Sequence, residues 1–213
     1  MVSFNDISER KRTERELENQ RQNLEVLVRE KATRHQDEKR ISEIIRVISE
    51  MSDYEREFDA GVKVSLEVLG RQLGWGLGHA YIYDEKMDRL LSTNLWYLEN
   101  PIIHEKFRMV TEKMDFEPGE DLPGKVYRDR EMVWIEDVNQ YPNFQRAGKK
   151  SGGVVTGMGF PVISRNKVVG VLEFFSRDRE KYSSSLAETT KCIGALLARI
   201  YEREHTYQMK TRE

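Results

Sequence analysis

The amino-acid order predicts an α+β domain, a central antiparallel sheet flanked by helices drawn from both ends of the chain. Three observations carry that prediction. Gly78–Tyr83 and Leu90–Leu98 are short aromatic and aliphatic runs on either side of the turn-like Asp84-Glu85-Lys86-Met87-Asp88. Val154–Ile163 and Lys167–Ser176 repeat the arrangement across Ser164-Arg165-Asn166, which marks a second hairpin. The last two runs are apolar on both strand faces, so the sheet must be covered on both sides.

The N-terminal third is helical by default. Asp6 to Arg40 is nearly unbroken charge of both signs, and no glycine precedes Gly61 and no proline precedes Pro101. Glu25–Arg29 and Glu30–Arg34 have the favourable i,i+4 order. Leu17, Leu24 and Val28 hold a and d positions of a heptad, while Lys31, His35 and Glu38 fall on the same seam. A polar helix alone in water is marginal, so the pattern points to a parallel two-stranded coiled coil, weak in its middle. A solvated single helix or a frayed tail is the alternative reading.

Ile41, Ile44, Ile48 and Met51 restart the apolar spacing with a register shift of one, so the helix continues with its seam rotated. Ser52-Asp53-Tyr54-Glu55 reads as a capping box opening a second helix. Val62, Leu66, Leu69 and Leu73 form that helix's buried stripe, and Gly74 closes it. After the first hairpin, Pro101–Met114 has helical spacing at Ile103, Phe107 and Val110, and Leu122–Arg130 adds one or two turns. Met132–Ile135 reads as a strand, and Pro142–Lys150 as a short helical or irregular segment. The link from Leu98 to Met132 has no predicted sheet partner yet is rich in apolar anchors. Links of that length are uncommon unless they serve a site, so it reads as a lid. Ser185-Leu186-Ala187-Glu188 opens a long last helix in which Leu186, Ile193, Ile200 and Tyr207 recur every seven residues, with Leu196 and Leu197 between them. The seam is expected to outlast the sheet and pair with a copy of itself.

Composition excludes several classes. Charged residues make up 34% of the 213 residues, which is too polar for one compact globule, and the excess sits at the ends. A formal charge of −2 argues against a nucleic-acid surface, which needs a clustered Lys/Arg excess. The single cysteine rules out a disulfide framework and a Cys-based zinc site, which suits a reducing cytoplasm. No apolar run approaches the roughly 18 residues of a membrane span, and the N-terminus lacks a signal-peptide core, so no membrane contact is expected.

Phe116-Glu117-Pro118-Gly119-Glu120-Asp121-Leu122-Pro123-Gly124-Lys125-Val126, then Trp134-Ile135-Glu136-Asp137-Val138 and Val171-Leu172-Glu173-Phe174-Phe175-Ser176, resemble in order the distal half of a GAF domain, a small-molecule sensory module. The resemblance runs from about Ile41 to Arg203. Trp96-Tyr97-Leu98 followed by Phe107 is similar to the variety found in bacterial and archaeal sensor kinases and diguanylate cyclases. Val2-Ser3-Phe4-Asn5-Asp6-Ile7-Ser8-Glu9-Arg10-Lys11 resembles the closing strand and exit helix of a PAS domain. These resemblances imply four parts: residues 1–11 the end of a PAS-like domain, 12–40 a charged coiled-coil linker, 41–181 the GAF domain, and 182–213 an output helix that packs on the domain before continuing as coiled coil. They also imply a GAF-like sheet of five or six strands, with the terminal helices on one face and a ligand pocket on the other.

The residues expected near that pocket are Tyr81, Tyr83, Trp96, Phe107, Phe116, Trp134, Phe144, Met158, Phe160 and Phe175, with ordinary core packing as the alternative for each. Strand alternation puts Val169, Val171, Glu173 and Phe175 on one face, where Glu173 must find a partner or stay protonated. It either reads a donor on the ligand or forms a structural hydrogen bond. Gly157 and Gly159 leave a gap on one face that admits a ligand or a neighbouring backbone, or marks a bulge. His35 and His205 read as solvated. His79 and His104 are the candidates for a haem iron, although no cofactor is expected and no two histidines have metal-ligand spacing. Cys192 reads as a buried or interface thiol. The GAF-fold methionine sulfoxide reductases need several cysteines, so this chain is expected to be regulatory, without catalytic residues. It reads as the cytoplasmic sensory or transmitter module of a dimeric receptor, foremost a histidine kinase, that binds an unknown small molecule or relays a PAS signal. The alternatives are a haem-bearing gas or redox sensor and an interaction module whose pocket is filled by side chains.

Overall fold

The computed structural model describes residues 4–54, 57–146 and 152–210. The chain separates into two compact units, Met1–Arg40 and Ile41–Glu213. The first is helical from Phe4 onward, as part of α1 (Phe4–Tyr54). Its apolar residues Leu17, Leu24, Val26, Leu27 and Val28 are all exposed within this chain. Arg12–Glu16 and Arg21–Glu25 bridge successive turns at 3.4 Å and 3.1 Å, which are exposed pairs of small individual weight. Val2 and Ser3 of the PAS-like motif lie outside the described residues, as do the side chains of Glu30 and Arg34.

In the second unit, the end of α1 turns Ile44 and Ile48 inward, both fully buried. The helix then runs unbroken to Tyr54, past the predicted boundary at Ser52, and Glu55 lies outside the described residues. Helix α2 (Phe58–Leu73) opens instead from Glu57 and ends at Gly74, whose φ of 70° is the left-handed turn that glycine adopts freely. Next come β1 (Leu77–Asp84), β2 (Arg89–Leu98), α3 (Pro101–Thr111), β3 (Asp115–Phe116), α4 (Asp121–Asp129), β4 (Val133–Ile135), β5 (Thr156–Ser164), β6 (Lys167–Ser176) and α5 (Ser184–Lys210). Among the described residues the sheet has the order β3-β2-β1-β6-β5-β4, antiparallel throughout. Both hairpins form as the sequence predicts. The β5–β6 turn is tight, with Arg165 and Asn166 both at positive φ, a twist that suits a two-residue hairpin. The Leu98–Met132 link does pair with the sheet, because Asp115–Phe116 adds a two-residue edge strand to β2.

Two apolar layers cover the sheet, as the two-sided strands require. On one face Val62, Leu66 and Leu69 of α2 and Ile193, Leu197 and Ile200 of α5 pack with Met158, Phe160, Leu172 and Phe174. On the other, Phe107, Phe116, Leu122 and Val126 from the lid, together with Phe144 from the segment after β4, pack on Leu77, Tyr81, Val171 and Phe175. The seven-residue repeat of α5 serves the first layer: Leu186, Ile193 and Ile200 are buried within the domain, and only Tyr207 of that series is exposed. A period of seven is therefore a core stripe here for most of its length. The register shifts between Val162 and Ile163, leaving Val169 opposite the skipped step. Val169 consequently packs with the helix-face layer, not beside Val171 and Phe175.

The cap of α5 is Ser183, two residues before the predicted one. Its Oγ accepts the Leu186 N–H at 3.3 Å and its carbonyl accepts Ala187 N–H at 3.1 Å. Glu188, the expected reciprocal partner, pairs with Lys191. Ser183→Ala is expected to cost about 1 kcal/mol, lowering the melting temperature by about 2–4 °C. A thermal melt unchanged from wild type would refute the assignment.

Candidate functional site

The face away from α5 encloses a charged cluster in an otherwise apolar interior. Strand β6 supplies Glu173 and strand β1 supplies Tyr81, brought near each other because His79 is paired with Glu173 and Tyr81 with Val171 across the β1–β6 ladder. From the opposite side comes Arg146, at the end of an irregular stretch after Val138, with its side chain entirely buried. Nη1 donates to Glu173 Oε1 at 2.6 Å and Nη2 to Glu173 Oε2 at 2.8 Å, a two-pronged pairing suited to a planar guanidinium. Nη2 also donates to Asp121 Oδ1 at 2.7 Å. Nη1 further reaches Tyr81 Oη at 3.2 Å and Thr111 Oγ1 at 3.5 Å. Tyr81 in turn donates its hydroxyl to Glu173 Oε1 at 3.1 Å.

Aromatic rings surround this fork. The guanidinium carbon lies 5.1 Å from the ring centre of Phe107, 5.3 Å from Phe116, 5.0 Å from Phe144 and 5.3 Å from Phe175. Rings within about 6 Å attract a cation through their negative faces, more so when water is excluded. Behind Glu173, the His79 ring stacks on Trp96 at 3.9 Å. His79 Nδ1 stands 3.6 Å from Glu173 Oε1, and Nε2 lies 3.1 Å from the Thr93 carbonyl. Arg146 Nε and Trp96 Nε1 are buried without a hydrogen-bond partner.

Asp121 holds the lid to the cluster. It opens α4 at a φ of 51°, a left-handed conformation uncommon for aspartate. Its Oδ1 accepts the Leu122 N–H at 2.7 Å, and Oδ2 accepts the Gln145 N–H at 2.8 Å, one residue before Arg146. One carboxylate thus ties the start of α4 to the segment that delivers the guanidinium.

The electrostatics follow from burial and pairing. Burial alone would raise the Glu173 pKa, but the Arg146 charge and its hydrogen bonds overcome this and hold it at about 2. Burial drives the Tyr81 hydroxyl well above its ordinary range, so it stays protonated and can donate. Burial opposes the charge on Arg146, yet Asp121 and Glu173 together keep it firmly protonated.

The structure brings together Tyr81, Trp96, Phe107, Phe116, Phe144, Glu173 and Phe175 of the predicted set. Tyr83 lies on the same face but apart. It stacks on Tyr127 at 4.4 Å and lines an open groove of about 590 Å³. Trp134, Met158 and Phe160 belong to the helix face. Trp134 meets Trp75 edge-on at 5.5 Å, and Phe160 stacks parallel on Phe174 at 6.3 Å. Alternation along β5 is the reason. Gly157 and Gly159 take the lid-facing positions, where a Cβ would meet Phe175 at 2.8 Å and Val126 at 3.0 Å. The glycine gap is filled by neighbouring side chains, and Met158 and Phe160 must point the other way. Arg146, Asp121 and Thr111 were not among the predicted residues.

Both histidine candidates for a haem iron are buried. His79 is buried between Trp96 and Tyr81 with Nε2 engaged by Thr93. His104 is buried against Gly76, where a Cβ would sit 2.9 Å from its Nε2. Cys192 is exposed on α5 and not buried, on the helix face of the sheet.

A GAF domain family model matches residues 55–201, which includes every element from α2 to most of α5. The chain belongs to the GAF domain family. The fold is that of a small-molecule-binding sensory domain, and its sheet agrees with solved GAF domains. The GAF domain of an Acinetobacter phosphoenolpyruvate-protein phosphotransferase is 18% identical, with TM-score 0.64, covering 79% of this chain and 96% of that one. The A. aeolicus nlh2 GAF domain in an inactive state is also 18% identical, with TM-score 0.60, over 78% and 97%. No curated protein matches this chain in sequence. The free methionine-R-sulfoxide reductase of Neisseria meningitidis, in complex with its substrate, is 16% identical with TM-score 0.64, covering 78% of this chain and 91% of that one. That last likeness corrects the expectation that such a domain is regulatory only. Enzymes are built on this GAF fold, and the fold leaves an enzymatic role open. Among the described residues, no helix is long and apolar enough to cross a membrane.

Proposed function

We propose that this GAF domain is the small-molecule-sensing module of a cytoplasmic, dimeric signalling receptor of the histidine kinase type, with a PAS domain upstream. The observation that carries this reading is the position of Glu173. It lies on the side of β6 that carries the Arg146 cluster, while its neighbours Leu172 and Phe174 face the layer that holds α5. A ligand that re-pairs Glu173 therefore acts on β6, whose ladder partner β5 is the strand that α5 packs against. Gly194 of α5 comes so close to the sheet that a Cβ would stand 2.6 Å from the Pro161 carbonyl. With no slack there, a shift of β5 or β6 must displace the helix. The exposed seam residues Leu17, Leu24 and Val28 supply the contact for a second copy, as a heptad seam does.

The test couples binding to dimer geometry. In a Cys192→Ser background, Leu24→Cys is expected to form a disulfide between copies, and a ligand at about one hundred times its Kd should stabilise the domain by about 2.7 kcal/mol. That corresponds to a rise of about 5–10 °C in melting temperature. The same ligand should change the yield or rate of cross-linking, because it can move the equilibrium only by preferring one state. No cross-link, or a saturating ligand that leaves cross-linking unchanged, would defeat the proposal.

A further inference from the structure

The buried cluster already holds an alkylguanidinium, and the chain itself supplies it. Around the Arg146 fork stand two carboxylates, a tyrosine hydroxyl and four aromatic rings, all with the polar side chains fully or almost fully buried. Six of these groups come from elements other than the irregular segment that carries Arg146: Phe107 from α3, Phe116 from β3, Asp121 from α4, Tyr81 from β1, and Glu173 with Phe175 from β6. The site is thus built by the fold, and the guanidinium is brought to it. Residues Tyr141–Arg146 form neither helix nor strand. The segment is tied by the Gln145 N–H to Asp121 and by the Phe144 N–H to the Tyr141 carbonyl at 3.1 Å.

Charge selects what can replace Arg146. Asp121 and Glu173 bring two carboxylates against one guanidinium. An anionic ligand would enter a cluster already in acidic excess, and a neutral one would leave Asp121 without its cation and Glu173 with only the His79 ring, 3.6 Å away, in an apolar interior. A planar cation with N–H donors satisfies both.

We propose that the carboxylate-and-aromatic cluster around Arg146 is a binding site for a small alkylguanidinium compound, which takes the place of Arg146, and that Arg146 is a tethered competitor for it. This rests on the sensory reading and names the chemistry of its ligand. Binding would release Arg146, so that the occupied and unoccupied states differ in the Phe144–Arg146 segment. Because the chain holds its own competitor, the wild-type protein binds more weakly than the empty site would, in proportion to the fraction of molecules with Arg146 withdrawn.

Arg146→Ala removes the atoms that ethylguanidinium restores, which makes this compound the probe. Ethylguanidinium at millimolar concentration is expected to raise the melting temperature of Arg146→Ala saturably, with a midpoint about tenfold or more below that for wild type. Ethylurea, of the same shape without the charge, and tetramethylammonium, charged without N–H donors, should do nothing comparable. The double variant Arg146→Ala/Glu173→Gln should lose the response. If Arg146→Ala does not fold unaided, refolding with ethylguanidinium should recover it, and refolding that fails with the compound overturns the proposal. So does a lack of saturable effect on either protein, or an equal effect from ethylurea. A neutral or anionic compound that stabilises wild type and alters Leu24→Cys cross-linking would overturn this inference and leave the sensory reading standing.

Discussion

Exchanging Arg146 for methionine is expected to lower the unfolding free energy at neutral pH by about 3–5 kcal/mol, the usual result of removing one partner from a buried ion pair. The magnitude is large because Glu173 and Asp121 remain, both fully buried, with no cation between them. Methionine fills the volume and keeps contact with the aromatic rings, so the loss reports on charge more than on packing. The variant should also reverse the dependence of stability on pH. In the wild-type domain the Glu173 pKa is depressed to about 2, so its contribution is present above the ordinary carboxylate value of about 4.3 and is lost as pH falls toward 2. Without Arg146, burial and the Asp121 charge raise the Glu173 pKa above its unfolded value. Its contribution is then fully present only below about pH 4.3 and is lost as pH rises through the raised pKa.

Urea unfolding at pH 4 and pH 7 distinguishes the two cases. Wild type should be the more resistant at pH 7, and Arg146→Met should lose less of its stability at pH 4 than at pH 7. His79 also faces Glu173, so Arg146→Met/Glu173→Gln serves as the control: if Glu173 is the titrating group, the reversal disappears in the double variant. A single variant that tracks wild type at both pH values would remove the ion cluster as a source of stability.

The sheet was legible because apolar runs on both strand faces admit few architectures, and because both hairpin turns carry the residues such turns need. That Glu173 needs a partner or a proton was legible too, since a buried carboxylate cannot stay ionised alone. Which of the 35 lysines and arginines would answer was not. Arg146 lies 27 positions earlier in a segment without periodic structure, so no helical or strand spacing points it inward. Asp121 was hidden in a motif read for its glycines and prolines. The misplacement of Met158 and Phe160 has a different cause. Alternation separates them from Gly157 and Gly159 but does not say which set faces the lid. Only the close approach of Phe175, Val126 and Leu122 to the glycines settles that. Likewise the heptad in α5 reads equally as a dimer seam or a core stripe, and Ile193 and Ile200 are buried in their own domain.

Gly124→Ala is expected to cost about 3 kcal/mol, toward the upper end of what one inserted methyl does in a packed interior. Local propensity argues the other way. Gly124 lies within α4, where alanine is the better helix former by about 1 kcal/mol. The clash prevails because its partner is backbone: a Cβ at Gly124 would stand 2.2 Å from the Glu117 carbonyl oxygen and 3.0 Å from the Gly119 nitrogen. No side chain can swing aside to relieve it. That backbone is itself committed, since the Gly119 N–H donates to the Gly124 carbonyl at 2.7 Å and the Glu120 N–H to the Glu117 carbonyl at 3.0 Å. Room for the methyl must come from moving α4 away from the Glu117–Gly119 turn, and Asp121 moves with it. The pairing of Asp121 with Arg146 and with the Gln145 N–H should then loosen together. Hydrogen exchange at Gln145 should accelerate in Gly124→Ala by more than the global loss of stability explains. Faster exchange there that merely equals the change in the core strands would assign the glycine to packing alone, and unchanged stability would show that the turn has slack.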